Sequence, residues 1–297
     1  MEFAVNYSPA LADLVRAGQV RVDRFKCPSW PGLIADATAV LPVYVHMPLE
    51  IGWGRGIPLD VERKEAVDLE WLADMAAATS THLINTHFQP PQDSFPEIPV
   101  HNLESRHFRP VLDAALRDLE PLIKRFGEQR VTVENCIGDY GKLRLSALPE
   151  VLQLLLEECG CGFLYDQSHA RLAARRMGLD ERAYSCALPV QRMREMHITG
   201  IQVIAGHWLE RMQAAGDQDG VARRLAGQEL DHFPMLDADW VELAWAMQNI
   251  HSGAWAAPWV VAYEYGGIGG FFEAITDSKI LLEQVPKLRS IILRDGG

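Results

Sequence analysis

The chain has no apolar run long enough to cross a membrane. Its first residues, Met1-Glu2-Phe3-Ala4-Val5-Asn6, lack the basic stretch and apolar core of a secretion signal. A cytoplasmic protein is the expectation. The five cysteines, Cys27, Cys136, Cys159, Cys161 and Cys186, are odd in number and include no C-x-x-C pair. That argues against a disulfide framework and fits reduced thiols buried as small apolar side chains. Positive charge is scarce: Lys+Arg total 28 against Asp+Glu 40, a net charge of −12. A surface of that sign repels phosphate backbones and disfavours broad nucleic-acid binding. The dinucleotide-binding fingerprint is missing as well, because Gly266-Gly267-Ile268-Gly269-Gly270 follows the last strand-like run rather than the first.

What remains is 297 residues, 48% of them apolar, enough for one large barrel or two smaller domains. Eight strand-like runs lie near 2–7, 20–26, 42–47, 82–88, 130–136, 161–167, 192–198 and 258–265. Helical periodicity follows most of them. Ser8-Pro9 predicts a capped helix that stops at Gly18. Further stripes predict helices near 62–79, through Leu112 to Phe126 before Gly127, from a Ser146 cap to Gly160, around Trp240 to Ile250, and near 270–285. Strands alternating with helices imply βα units and a parallel sheet. Eight units in this length point to an α/β fold of the (β/α)8 TIM-barrel class, one domain over 1–297. Long connections at 89–104 and 199–235 would lie on its C-terminal face as lids or substrate walls. The second carries a charged, partly helical stretch, Leu209 to Leu225.

Glu134, Asp166, His197 and Glu264 each fall at the end of a strand-like run, as do His46 and His87. Catalytic groups of a barrel of parallel strands sit at those ends. Parity adds to this: His46 shares its parity with Tyr44, His87 with Asn85, Glu134 with Thr132, His197 with Glu195 and Glu264 with Ala262. The opposite parity is largely apolar, so these side chains are expected to face the barrel interior. Crowded carboxylates repel and raise one another's pKa, and a divalent cation relieves this. Carboxylate and imidazole are also the donors that hold such an ion.

Six pieces in chain order carry a family resemblance: His46; His87; Val133-Glu134-Asn135; the D-x-x-H of Asp166-Gln167-Ser168-His169; Glu195-Met196-His197-Ile198-Thr199-Gly200; and Glu264. Over about residues 40–266 the chain resembles the xylose isomerase-like TIM-barrel superfamily. That superfamily holds sugar epimerases, endonuclease-IV-type phosphodiesterases and multinuclear iron oxidative enzymes. The resemblance implies a core metal on Glu134, Asp166, His197 and Glu264. It implies a second ion near His46 and His87, bridged by Glu134, in members with several metals. A third would use His169 with a D-x-H pair. Here the chain departs from the pattern, with Glu229-Leu230-Asp231-His232. Either Glu229 and Asp231 or Asp231 and His232 would serve. The cofactor expectation is one to three ions of Mn, Zn, Fe, Co or Mg.

Two enzyme classes follow, with a third reading outside catalysis. A sugar or polyol isomerase or epimerase would use Glu134 and Glu264 as paired acid and base, with His169 orienting a hydroxyl. A multinuclear enzyme would hydrolyse phosphoesters with Zn or carry out oxidative chemistry with Fe. The third is a binding barrel without catalysis. The expected partner is a small molecule, with homo-oligomerisation left open. His101, His107, His207 and His251 are expected at the surface. Trp30, Trp53, Trp208 and Trp255 are candidates for pocket walls or helix packing, Lys26 and Arg55 for an anionic substrate, and Cys136 for packing beside Glu134.

Overall fold

The computed structural model describes residues 1–217 and 220–294. Residues 218–219 of the connection 199–235, and residues 295–297 of the expected domain, lie outside the described residues. The chain divides into two compact units, Met1–Val43 with His197–Gly297, and Tyr44–Met196.

The first unit opens with β1 (Glu2–Asn6), α1 (Pro9–Arg16), β2 (Arg24–Cys27) and α2 (Pro31–Thr38). α1 starts as its sequence dictates: Ser8 Oγ accepts the Leu11 N–H at 3.1 Å, and Pro9 takes the first turn. The strand β3 (Val43–Val45) crosses into the second unit.

The second unit continues with β4 (Leu49–Ile51), β5 (Leu59–Asp60), β6 (Glu65–Ala66), α3 (Leu69–Ala78), β7 (Ile84–Phe88) and α4 (Phe108–Phe126). β8 (Val131–Glu134), α5 (Pro149–Cys159), β9 (Gly162–Asp166), α6 (Gln167–Met177), α7 (Glu181–Ala187) and β10 (Met193–Ile198) follow. The last of these crosses back into the first unit. β4, β7, β8 and β9 run parallel, with Glu50 opposite His87, His87 opposite Glu134 and Glu134 opposite Leu164. That register sets the candidate ligands of neighbouring strands side by side. β4, β5 and β6 form a short antiparallel meander. The connection 89–104 is irregular apart from a short 3-10 turn at Gln92–Ser94 and a bridge from Pro91 to Lys142.

The first unit resumes with β11 (Gly200–Val203), α8 (Gly206–Ala214), α9 (Val221–Leu225), β12 (Glu229–Phe233), α10 (Asp237–His251), β13 (Val260–Tyr263), α11 (Gly270–Ile275) and α12 (Ser278–Leu293). Here β1 lies between β13 and β2, all parallel. β11 and β12 pair antiparallel, and Ile204, Met212, Phe233, Phe271 and Ile275 form a small core beside them.

Each of the eight expected strands is present, and three expected helices are corrected. The helix near 62–79 begins at Leu69, because the Asp68 carboxylate caps it through Glu70 N and Trp71 N while β5 and β6 occupy the residues before it. Ser146 caps nothing; its hydroxyl donates to the Leu143 carbonyl at 2.9 Å, and α5 starts at Pro149. The span 270–285 holds two helices, because Asp277 caps a new one by accepting from Lys279 N. Among the described residues no helix is long and apolar enough to cross a membrane.

Candidate metal centre

In the second unit, β3, β7 and β8 bring His46, His87 and Glu134 together. The two imidazole Nε2 atoms stand 3.0 Å apart. Glu134 Oε2 lies 3.2 Å from His87 Nε2 and 3.6 Å from His46 Nε2. Both tautomers can be read from the outer contacts. His87 Nδ1 faces the Leu49 carbonyl at 3.1 Å, to which it can only donate, so the neutral ring keeps its lone pair on Nε2. Asn85 is fixed by Met47, accepting from its N–H at 2.8 Å and donating to its carbonyl at 3.0 Å. Its amide nitrogen also meets His46 Nε2 at 3.2 Å, and an amide nitrogen only donates. His46 Nε2 is therefore an acceptor. Two imidazole lone pairs and a carboxylate oxygen converge, with ligand atoms all within 4.8 Å of one another. Such a donor set fits a divalent cation, and the carbonyl behind His87 is the outer support that metal-bound histidines use.

Burial works against charge on His87, but the Glu134 carboxylate outweighs it through charge and hydrogen bonding, so the His87 pKa lies above 6.5.

The ends of β8 and β9 are tied by Asn135, which donates to the Asp166 carbonyl at 2.8 Å and accepts from Asp166 N at 2.9 Å. Asp166 is fully buried and caps α6, accepting from Ser168 Oγ at 2.6 Å and His169 N at 2.7 Å. His169 Nδ1 lies 3.0 Å from the Asn135 carbonyl, 3.1 Å from Glu134 Oε1 and 3.6 Å from Asp166 Oδ2. Its Nδ1–H is thus committed, and Nε2 is what it can offer a metal or substrate. Cys136 is buried, its thiol 3.7 Å from the Glu134 carbonyl. Burial first, and the Glu134 charge second, push that thiol up and leave it inert at neutral pH.

In the first unit, His197 Nδ1 lies 3.2 Å from Glu264 Oε1, and Lys26 Nζ forms a buried ion pair with the same oxygen. Glu264 is placed by its own N–H, which donates to the Ile198 carbonyl at 3.0 Å. His232 has φ +67°, which side chains other than glycine rarely adopt. Neighbours in a strand normally point to opposite faces. The turn at His232 breaks that alternation and brings its Nε2 to 4.0 Å from Asp231 Oδ2. Its Nδ1 donates to the Glu264 carbonyl at 2.8 Å, again leaving Nε2 as acceptor.

Within its units the structure thus gathers His46, His87, Glu134, Asp166 and His169 into one group, His197 with Glu264 into another, and Asp231 with His232 into a third. The sequence reading gave no role to Asn85 or Asn135, although Asn85 shares His87's parity and Asn135 follows Glu134 directly. His101 and His207 are exposed and His107 half-buried, and His251 is half-buried with Nε2 3.0 Å from the Ile292 carbonyl. Trp255 is buried and Trp208 packs on Phe233. Trp53 is half-buried, with Arg55 and Lys142 each 4.9 Å from its ring centroid.

No family model matches this sequence. Over 96 residues it is 32% identical to a UPF0276 protein of Anaeromyxobacter sp. (strain Fw109-5). That match takes in 31% of this chain and spans only 34% of that protein's length. Among solved structures, 3-keto-D-glucoside 4-epimerase from E. coli is similar over 98% of this chain and 99% of its own, with TM-score 0.54 and 14% identity. Endonuclease IV from Thermus thermophilus aligns over 67% of this chain and 77% of its own, with TM-score 0.37 and 16% identity. At such identity the full-length match speaks for architecture alone, and the chain has an α/β fold of the TIM-barrel class.

Proposed function

We propose that this chain is a divalent-metal-dependent enzyme that moves a proton on a sugar or polyol, as an isomerase or epimerase does. The observation that supports its metal dependence is the meeting of His46 Nε2, His87 Nε2 and Glu134 Oε2, donor atoms of the kind that hold a divalent cation. Imidazole beside carboxylate favours Mn, Fe, Co or Zn over Mg. Asp166, His197 and Glu264 are proposed as ligands from the family pattern. Asp231 and His232, with His169, are the proposed donors for a further ion. Of the two alternatives for that pair, His232 is preferred over Glu229, because its Nδ1 is anchored and its backbone is turned to present it.

A bound divalent ion supplies Lewis acidity to a substrate oxygen. Glu134 and Glu264, both buried at strand ends, are assigned the paired roles of proton acceptor and donor. Lys26 pairs with Glu264 through Oε1, so a buried cation faces the carboxylate assigned as base. His169 presents Nε2 to a substrate hydroxyl, its ring oriented by the Asn135 carbonyl. The fold relative from E. coli is named as an epimerase of a 3-keto-glucoside, and this reading extends that substrate class to the present chain.

A second reading, a multinuclear phosphoesterase with Zn or an oxidative enzyme with Fe, is favoured by one feature. The His46–His87 pair is a ligand set beyond what a single-metal isomerase needs. To separate the two, metal-loaded protein is incubated in D2O with ketoses and inosose-like polyols, and loss of C–H signals is followed by NMR. Exchange that vanishes in Glu264→Gln is expected. No exchange on any candidate, with phosphoester cleavage or oxygen consumption instead, would overturn the isomerase reading.

A further inference from the structure

We infer that Lys26 is a built-in cation that balances Glu264 and weakens divalent-metal binding at that carboxylate. The inference rests on the metal-enzyme reading above. Lys26 is 7% exposed and Glu264 4%. Lysine is almost never so buried unless paired. The two residues are 238 positions apart in sequence and are brought together by strand order. β2 and β13 flank β1, with Lys26 opposite Asn6 and Tyr263 opposite Val5. Lys26 and Glu264 therefore stand level at the strand ends, two strand spacings apart, roughly 9–10 Å. A lysine and a glutamate reaching toward each other close that gap.

The consequence lies in one atom. Glu264 Oε1 takes the Lys26 ammonium and also lies 3.2 Å from His197 Nδ1. An ammonium already there repels a divalent ion across a low-dielectric interior and lowers the donor strength of the carboxylate. A divalent ion at Glu264 would have to share or displace the contact that Lys26 makes with this carboxylate.

The test compares Lys26→Met and Lys26→Gln with Lys26→Arg and the wild type. Zn2+ and Mn2+ affinity is measured by competition with a chromophoric chelator, and the melting shift on adding metal is read alongside. Removing the ammonium leaves a buried, unbalanced carboxylate. The Met and Gln variants are expected to melt lower without metal, to regain stability when metal is added, and to bind roughly tenfold or more tighter than wild type. Lys26→Arg should behave as wild type, and adding Glu264→Gln to Lys26→Met should abolish the gain. If Lys26→Met does not fold, Lys26→Gln carries the same comparison. Wild-type or weaker affinity in a folded Met or Gln variant overturns this inference alone. A wild type that takes up no divalent metal overturns the metal-enzyme reading and this inference with it.

Discussion

Replacing Glu134 with glutamine keeps the shape of the side chain and removes its charge. The carboxylate faces His46 at 3.6 Å, His87 at 3.2 Å and His169 at 3.1 Å. In the metal-free protein the substitution removes the attraction that holds the His87 pKa above 6.5, and burial then keeps the ring neutral. In the metal-loaded protein it removes the only anionic donor of the His46–His87–Glu134 group. Deleting one partner of a buried charge pair costs about 3–5 kcal/mol. That corresponds to roughly two to three and a half orders of magnitude in Kd. At a metal concentration of about 100 times the wild-type Kd, binding stabilises the fold by about 2.7 kcal/mol. For a chain of this size that is a melting shift of about 5 °C. The variant, at the same metal concentration, retains about 0.3 kcal/mol or less, and its shift falls below about 1 °C. Thermal melts of chelator-treated protein, with and without Zn2+ or Mn2+, measure both. A Glu134→Gln protein that keeps the wild-type shift would refute the assignment of Glu134 as the central ligand.

Other predictions follow from the same contacts. The raised His87 pKa stabilises the metal-free fold below pH 6.5, and that contribution is lost as pH rises through the folded pKa. The melting temperature of metal-free protein should drop across that range and metal affinity should climb. Both slopes should be missing in Glu134→Gln, and a pH-independent wild-type affinity would contradict the ligand role of His87. Asp118 accepts backbone N–H groups from Gly52, Gly54 and Gly56 at 2.9, 3.0 and 2.8 Å, winding a loop of positive-φ glycines around one carboxylate. Asp118→Asn should cost about 2 kcal/mol, or about 4 °C in melting temperature; an unchanged melt would show that the loop does not depend on the charge. A Cβ on Gly200 would lie 1.9 Å from the Pro234 carbonyl oxygen. Gly200→Ala should push β11 off β12 and speed proteolytic cleavage within 200–235, and cleavage at the wild-type rate would contradict the close approach.

The strands were legible because each apolar run is long enough to show its parity and ends in a polar residue. Glu134, Asp166, His87 and Glu264 could be chosen from that pattern alone. The short β4–β6 meander was not, since strands of two residues carry no periodicity. Ser146 looked like a cap because hydroxyl spacing cannot tell whether Oγ accepts from a helix or donates to a turn. The presentation of His232 depends on one φ value, and no sequence pattern encodes a left-handed histidine. The Lys26–Glu264 pair joins the second and last of the eight barrel strands, so it follows from the order of strands rather than from any local motif. Asn135 was within reach: a buried amide following a strand-end carboxylate is well placed to tie neighbouring strands.

The most direct measurement is the metal content per chain, by elemental analysis of protein purified without chelators or added metal. One or more equivalents of Mn, Fe, Co or Zn, lost together with the metal-induced melting shift in His87→Ala and Glu134→Gln, is the expected result. Protein that carries no metal, and takes none up on titration, would contradict the assignment of His46, His87 and Glu134 as a metal centre.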